Sequence, residues 1–168
     1  MNPLNEEVFA AIMALIVVSS AIGIAQVLRP ETVSPFTAFG LLNEKCKIGD
    51  YPAKAFYGEN LTLCLLLYNN EGSPLLAQIR YKIGTNDTLP SDTAPSKKKP
   101  IKIYEAMLSQ GENITIPIQA PVTPERALIG KRAALIFELW IYNVDKRNWT
   151  YTGKWVHLYL EILEEPLP

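Results

Sequence analysis

The chain has 168 residues, the size of one ordinary domain, with 48% hydrophobic residues, 16 basic and 17 acidic side chains, one His and two Cys. It is too apolar for intrinsic disorder and too evenly charged for a polybasic nucleic-acid binder, so no nucleic-acid partner is expected. Two Cys exclude a disulfide-dense miniprotein, and a single His excludes a His-rich metal centre.

Residues 1–28 read as an N-terminal membrane anchor. Val8 to Leu28 is a run of 21 residues without a charge, 17 of them apolar. As a helix it would be about 30 Å long, the thickness of a bilayer's hydrocarbon core. Glu6 and Glu7 precede it, Arg29 and Pro30 close it, and Ser19, Ser20 and Gly23 are small residues that membrane helices tolerate. A buried core helix would show a polar face, and this run has none. A cleaved secretory signal would have a basic leader and a shorter apolar stretch. The leader here is acidic, although Gly23-Ile24-Ala25 has the small-x-small form of a cleavage site. The lipid bilayer is therefore the first expected partner, contacted through Val8 to Leu28.

Two signals conflict over orientation. Arg29, Lys45 and Lys47 follow the helix and no Lys or Arg precedes it, which by the positive-inside tendency would leave the C-terminal part in the cytoplasm. Four Asn-x-Thr sequons oppose this: Asn60-Leu61-Thr62, Asn86-Asp87-Thr88, Asn113-Ile114-Thr115 and Asn148-Trp149-Thr150. With ten Asn and about a tenth of the chain Ser or Thr, chance supplies roughly one. All four lie beyond the helix, and N-glycosylation occurs only outside the cytoplasm. The sequons outweigh the loop charges, because folded domains translocate largely regardless of charge. The reading is a single-pass protein of the cell membrane, its C-terminal domain outside the cytoplasm.

Residues 29–35 form a Pro-containing spacer, residues 36–165 a β-domain and residues 166–168 a tail. Phe36–Leu42 is a short apolar strand, and Asn43–Asp50 is a turn with Gly49. Tyr51–Tyr57 carries Pro52, which suits an edge. Asn60–Asn69 is a nearly continuous apolar strand, ended by the turn Asn70-Glu71-Gly72-Ser73-Pro74. In Ala77–Ile83, Ala77, Ile79, Tyr81 and Ile83 share one face, and Gln78, Arg80 and Lys82 the other. Ile114, Ile116 and Ile118 alternate with polar or Pro neighbours over Asn113–Gln119. Val156, Leu158, Leu160 and Ile162 alternate with Trp155, His157, Tyr159 and Glu161. Each pattern has the period of two of a half-buried strand. Ile101–Leu108 and Arg132–Tyr142 bring the count to about eight, with a helical turn within Pro121–Gly130. Strands spaced this way without helical periodicity predict an immunoglobulin-like antiparallel β-sandwich.

Several residues carry candidate chemistry. Cys46 and Cys64, 18 residues apart, are either a disulfide that would stabilise by about 3 kcal/mol or two separate thiols. Thr85–Pro100 is a polar loop ending in Lys97, Lys98 and Lys99; it reads as a solvated loop, with contact to an anionic surface as the alternative. Trp140 and Tyr142 fall on the face opposite Leu139 and Ile141, Trp149 and Tyr151 follow in the last hairpin, and Trp155 and Tyr159 share a face of the final strand. They form either a binding surface for a protein or a glycan, or cross-strand packing. His157 has no nucleophile to pair with from sequence, and no phosphate loop or HExxH motif occurs. Neither an enzyme nor a cofactor is expected.

Phe36-Thr37-Ala38-Phe39-Gly40-Leu41-Leu42, Gly49-Asp50-Tyr51-Pro52, Gly58-Glu59-Asn60 and Asn70-Glu71-Gly72 together resemble a family of mostly archaeal membrane proteins, catalogued as domain of unknown function 1616. The resemblance covers roughly Phe36 to Gly84, and the remainder only by strand pattern. It implies an outward, immunoglobulin-like domain on an archaeal membrane and offers no activity. The chain departs from the family in its single apolar helix and in Cys46, where a small turn residue is expected. The functional expectation is a membrane-anchored glycoprotein acting as a binding or accessory subunit of a surface complex. The alternative is a pilin-like filament subunit, assembled through its apolar helix, which the mature N-terminus would distinguish.

Overall fold

A computed structural model of the protein describes residues 3–28 and 34–164. The chain divides into two units, Met1–Ser34 and Pro35–Pro168. Most of the predicted spacer and the tail at 166–168 lie outside the described residues.

Helix α1 spans Pro3–Val27. Within it, Asn5–Gln26 has a mean hydropathy of 2.6 over its most apolar stretch and no buried residue, so the helix is long and apolar enough to cross a membrane. Phe9, Leu15, Val17 and Ile24 stand at least 60% exposed around its circumference. A helix apolar on every side finds no solvent match in water, and it fits either a membrane anchor or a signal sequence. Ser20 turns its hydroxyl back onto the Ile16 carbonyl at 2.7 Å, satisfying it within the helix.

The second unit is an immunoglobulin-like β-sandwich. One sheet holds β1 (Phe36–Leu42), β3 (Asn60–Asn70) and β6 (Asn113–Pro121), in the order β1-β3-β6. The other holds β2 (Lys54–Phe56), β4 (Leu75–Gly84), β5 (Lys102–Leu108), β7 (Arg132–Asn143) and β8 (Asn148–Leu163), in the order β2-β8-β7-β4-β5. All pairings are antiparallel except β2 on β8, a three-residue parallel contact at the edge where Pro52 places that segment. A 3₁₀ turn at Arg126–Leu128 occupies the expected helical turn between β6 and β7.

The period-two faces meet as the core. Leu63, Leu65 and Leu67 of β3 oppose Ile79 and Tyr81 of β4 and Leu135, Phe137 and Leu139 of β7, all with no exposed surface. Each buried Leu of this kind stabilises the fold by about 1.5–3 kcal/mol. The Tyr81 and Phe137 rings stack at 4.9 Å, and the Tyr81 hydroxyl donates to the Pro121 carbonyl at 3.1 Å. At one end, the buried Asn69 side chain ties two turns together. Its amide donates to the carbonyls of Ser73 (2.9 Å) and Ser109 (3.0 Å), while its oxygen accepts from Glu71 N–H (3.0 Å). On the opposite face of β3, Cys64 is fully buried beneath the turn that carries Cys46, and the two are joined with Cα atoms 5.2 Å apart.

One expectation holds only in part. The polar segment between β4 and β5 is exposed over much of its length, but it folds back across the outer face of the larger sheet, where Pro90 and Ser96 are buried. Lys82, assigned to a solvent face, is only 4% exposed beneath it, and Gln78 on the same face is 6% exposed, its amide donating to Glu105 and its oxygen accepting from Arg80.

Candidate functional site

The outer face of β7 and β8 collects all six aromatics singled out above. Trp140 lies directly opposite Tyr151, and Tyr142 opposite Trp149. Their ring centroids are 5.4 Å apart in both pairs, one tilted and one edge-on, as quadrupolar rings prefer. Farther along β8, His157 sits between Trp155 (5.2 Å) and Tyr159 (4.7 Å). The two groups share a face but are separated by a register shift between Glu138 and Trp140. At Gly153, with φ +76°, the chain bends where only a residue without Cβ fits, because a side chain there would collide with the Asp92 carbonyl.

These rings are largely engaged with the protein itself. Arg80 lays its guanidinium 3.7 Å over the Trp140 ring and donates from Nε to Gln78 at 2.8 Å. Arg132 covers Tyr159 at 4.2 Å. Two phenol hydroxyls hold the overlying loop: Tyr151 donates to the Ser91 carbonyl (2.9 Å) and Tyr159 to Asn86 Oδ1 (2.7 Å). All six aromatics are half-buried, whereas His157 is exposed.

Beneath the loop lies a charged centre. The Glu138 carboxylate has no exposed surface and accepts from Lys82 Nζ (2.8 Å), Ser96 N–H (2.6 Å) and Trp140 Nε1 (3.2 Å). Lys82 also donates to the Ser96 carbonyl at 2.8 Å. Loop and sheet are thus joined through both ions, each satisfied by the other and by the Ser96 backbone. The sequence carried one signal of this: Glu138 interrupts the otherwise apolar run Ala133–Ile141. Its partner was not legible, because Lys82 sits in an ordinary alternating strand.

The surroundings shift several proton affinities. Desolvation pushes Tyr151 up to about 12, with the negative charges of Glu138 and Asp92 adding to it. Desolvation of Arg80 lowers its pKa, and Glu138 offsets part of that. His157 is lowered by desolvation and then by the neighbouring Arg132 cation, which favours the neutral ring. Among the described residues no three His, Cys, Asp or Glu side chains converge on a common point.

The sequon asparagines Asn60, Asn86, Asn113 and Asn148 are all exposed. Asn60 and Asn113 begin β3 and β6, Asn148 begins β8, and Asn86 opens a 3₁₀ turn after β4. Of the three lysines, Lys97 and Lys99 are exposed and Lys98 pairs with Glu125 at 2.8 Å.

No protein-family model matches the chain, and no curated protein matches it in sequence. Among solved structures, it is similar to the CARDB domain of a Pyrococcus furiosus protein in complex with di-metal ions. That likeness has 8% identity and a TM-score of 0.45, over 79% of this chain and 94% of that one. It is also similar to a beta-glucosidase from Listeria innocua in complex with glucose, at 11% identity and a TM-score of 0.42 over 76% of this chain. The match covers only 16% of the glucosidase.

Proposed function

We propose that the protein is a single-pass membrane glycoprotein whose β-sandwich lies outside the cytoplasm as a binding or accessory subunit of a surface complex. The observation that carries this reading is the set of four sequons, all beyond an apolar helix and all with exposed asparagines. The immunoglobulin-like architecture is compatible with it, because loops and faces on such a scaffold can carry a recognition surface. The resemblance to archaeal membrane proteins with an outward β-domain points the same way. The Trp140–Tyr151 and Tyr142–Trp149 pairs at the β7–β8 hairpin form the surface assigned to a protein or glycan partner. Half-buried rings of this type supply contact area at small entropic cost.

The test combines topology with modification. Intact cells are treated with a protease that cannot cross the membrane, and the released peptides are analysed by mass spectrometry. The expected result is cleavage of the domain from outside, with glycan mass on at least one of the four asparagines. A domain protected from external protease overturns the orientation. Four unmodified asparagines on an accessible domain overturn the glycoprotein assignment.

A further inference from the structure

Strand β8 has sixteen residues, yet β2 pairs only with Glu161, Ile162 and Leu163. On its other side, the pairs Ala133–Leu160, Leu135–Leu158 and Phe137–Val156 turn the even-numbered residues of β8 toward β7. The odd-numbered residues point the other way, as Glu161 shows by donating its N–H to the Ala53 carbonyl at 2.9 Å. Trp155, His157 and Tyr159 therefore aim their N–H and C=O groups at an edge where no described residue bonds them. Such an edge is a template for another strand.

The open stretch has defined ends. The bend at Gly153 closes it on one side and β2, beginning at Glu161, on the other. Lys154–Leu160 remains, about 23 Å of extended chain. The neighbouring edge of β1 is treated differently. Tyr51 Oη donates to the Leu41 carbonyl and Lys154 Nζ to the Thr37 carbonyl, both at 2.7 Å. Two carbonyls of β1 are thus capped by side chains, while the β8 edge is bare. Beside it runs a groove of about 350 Å³, lined by Leu41, Tyr51, Val156 and Leu158 together with Trp155 and His157.

We propose that this edge pairs with the same edge of a second copy, antiparallel about a two-fold axis at His157, so that two five-stranded sheets become one of ten. The axis is set by the open stretch itself, because His157 is the midpoint between Gly153 and Glu161. In that register Trp155 of one copy lies across from Tyr159 of the other, twice over, and Val156 lies across from Leu158. Lys154 meets Leu160, so no like charges face one another across the pairing. Six backbone hydrogen bonds form between the odd-numbered residues. The strand is its own complement: Trp155 and Tyr159 flank His157 on one face, and Val156 and Leu158 flank it on the other. An unrelated segment would have to reproduce that two-faced pattern, whereas a second copy carries it already. The pairing rests on the sandwich alone and holds on either side of a membrane.

The test exploits the axis, since a residue on it meets itself. The full chain is purified in detergent as wild type, His157→Asp and His157→Lys, and its self-association is measured by light scattering. His157 is exposed, and unchanged circular dichroism and melting temperature confirm that each variant remains folded. The wild type is expected to dimerise. Each variant alone, with like charges opposed, is expected to weaken dimerisation by at least about fivefold. An equal mixture of the two variants is expected to restore it through the Asp–Lys heterodimer. A monomeric wild type overturns the proposal and leaves the edge to a different partner. Variants that dimerise as tightly as the wild type also overturn it, and place the contact elsewhere, as on α1.

Discussion

Glu138→Leu isolates the role of the buried centre. The substitution removes the carboxylate paired with Lys82, whose side chain is 5% exposed, and takes the acceptor from Ser96 N–H and Trp140 Nε1. Breaking a buried ion pair by deleting one partner costs about 3–5 kcal/mol, mostly from the ammonium left without a counter-charge. For a domain of this size that corresponds to a fall in melting temperature on the order of 10–20 °C. The double variant Lys82→Met with Glu138→Leu removes both ions and is expected to regain most of the loss. The residue is about 1–3 kcal/mol for the orphaned Ser96 N–H. Thermal unfolding followed by circular dichroism measures both effects. Trypsin provides a second readout, because a loop released from Glu138 offers Lys97 and Lys98 for cleavage. If Glu138→Leu melts within about 1 kcal/mol of wild type, or the double variant is no better than the single, the ion pair does not hold the loop as described.

Three other outcomes follow from the same geometry. Replacing Cys46 and Cys64 together by Ala should lower stability by about 3 kcal/mol, the chain-entropy value for a link across 18 residues, measured by denaturant unfolding without reductant. Gly153→Ala forces a side chain into positive φ and against the Asp92 carbonyl, so a loss of about 2–4 kcal/mol is expected from thermal melts. Tyr104 and Tyr151 are each pushed up to about 12 by desolvation, so the unfolded chain loses those protons near pH 10 while the fold keeps them. Stability is therefore expected to fall as pH rises from about 10 toward 12, and tyrosinate absorbance should show a late-titrating fraction. At the acid end the sign is opposite. His157, lowered in the fold, favours the neutral ring and contributes stability above its unfolded pKa that is lost as pH falls through its folded value.

Much of the fold was legible because its signals are local. Ile114, Ile116 and Ile118 alternate in sequence and turn inward in β6, with Ile118 fully packed; Ala77, Ile79, Tyr81 and Ile83 do the same in β4. Pro52 marked the segment of β2 as an edge. The site was less legible. The six aromatics were read as three separate pairs, and only the register of β7 on β8 brings them onto one face. Their use was not readable, because it depends on Ser91 and Asn86, 60 and 73 residues away in the chain. Asn69, which ties two turns through Ser73 and Ser109, looked like an ordinary turn-flanking residue.

The opening balance of 48% hydrophobic residues and a net charge of −1 divides between an apolar helix and a sandwich of average composition. The sequence alone determined that division, since helix apolarity and strand alternation are properties of neighbouring residues and need no distant partner. It also determined about eight strands and the period-two faces of β4, β6 and the later part of β8. Tertiary structure decided what lies over the outward faces. Lys82 alternates as a solvent-facing residue should, and it is buried because a polar segment from beyond Gly84 crosses above it. Nothing local distinguishes a polar loop that returns to its sheet from one that does not. The difference lies in Glu138, Tyr151 and Tyr159, whose partners on the loop meet them only when the chain has folded.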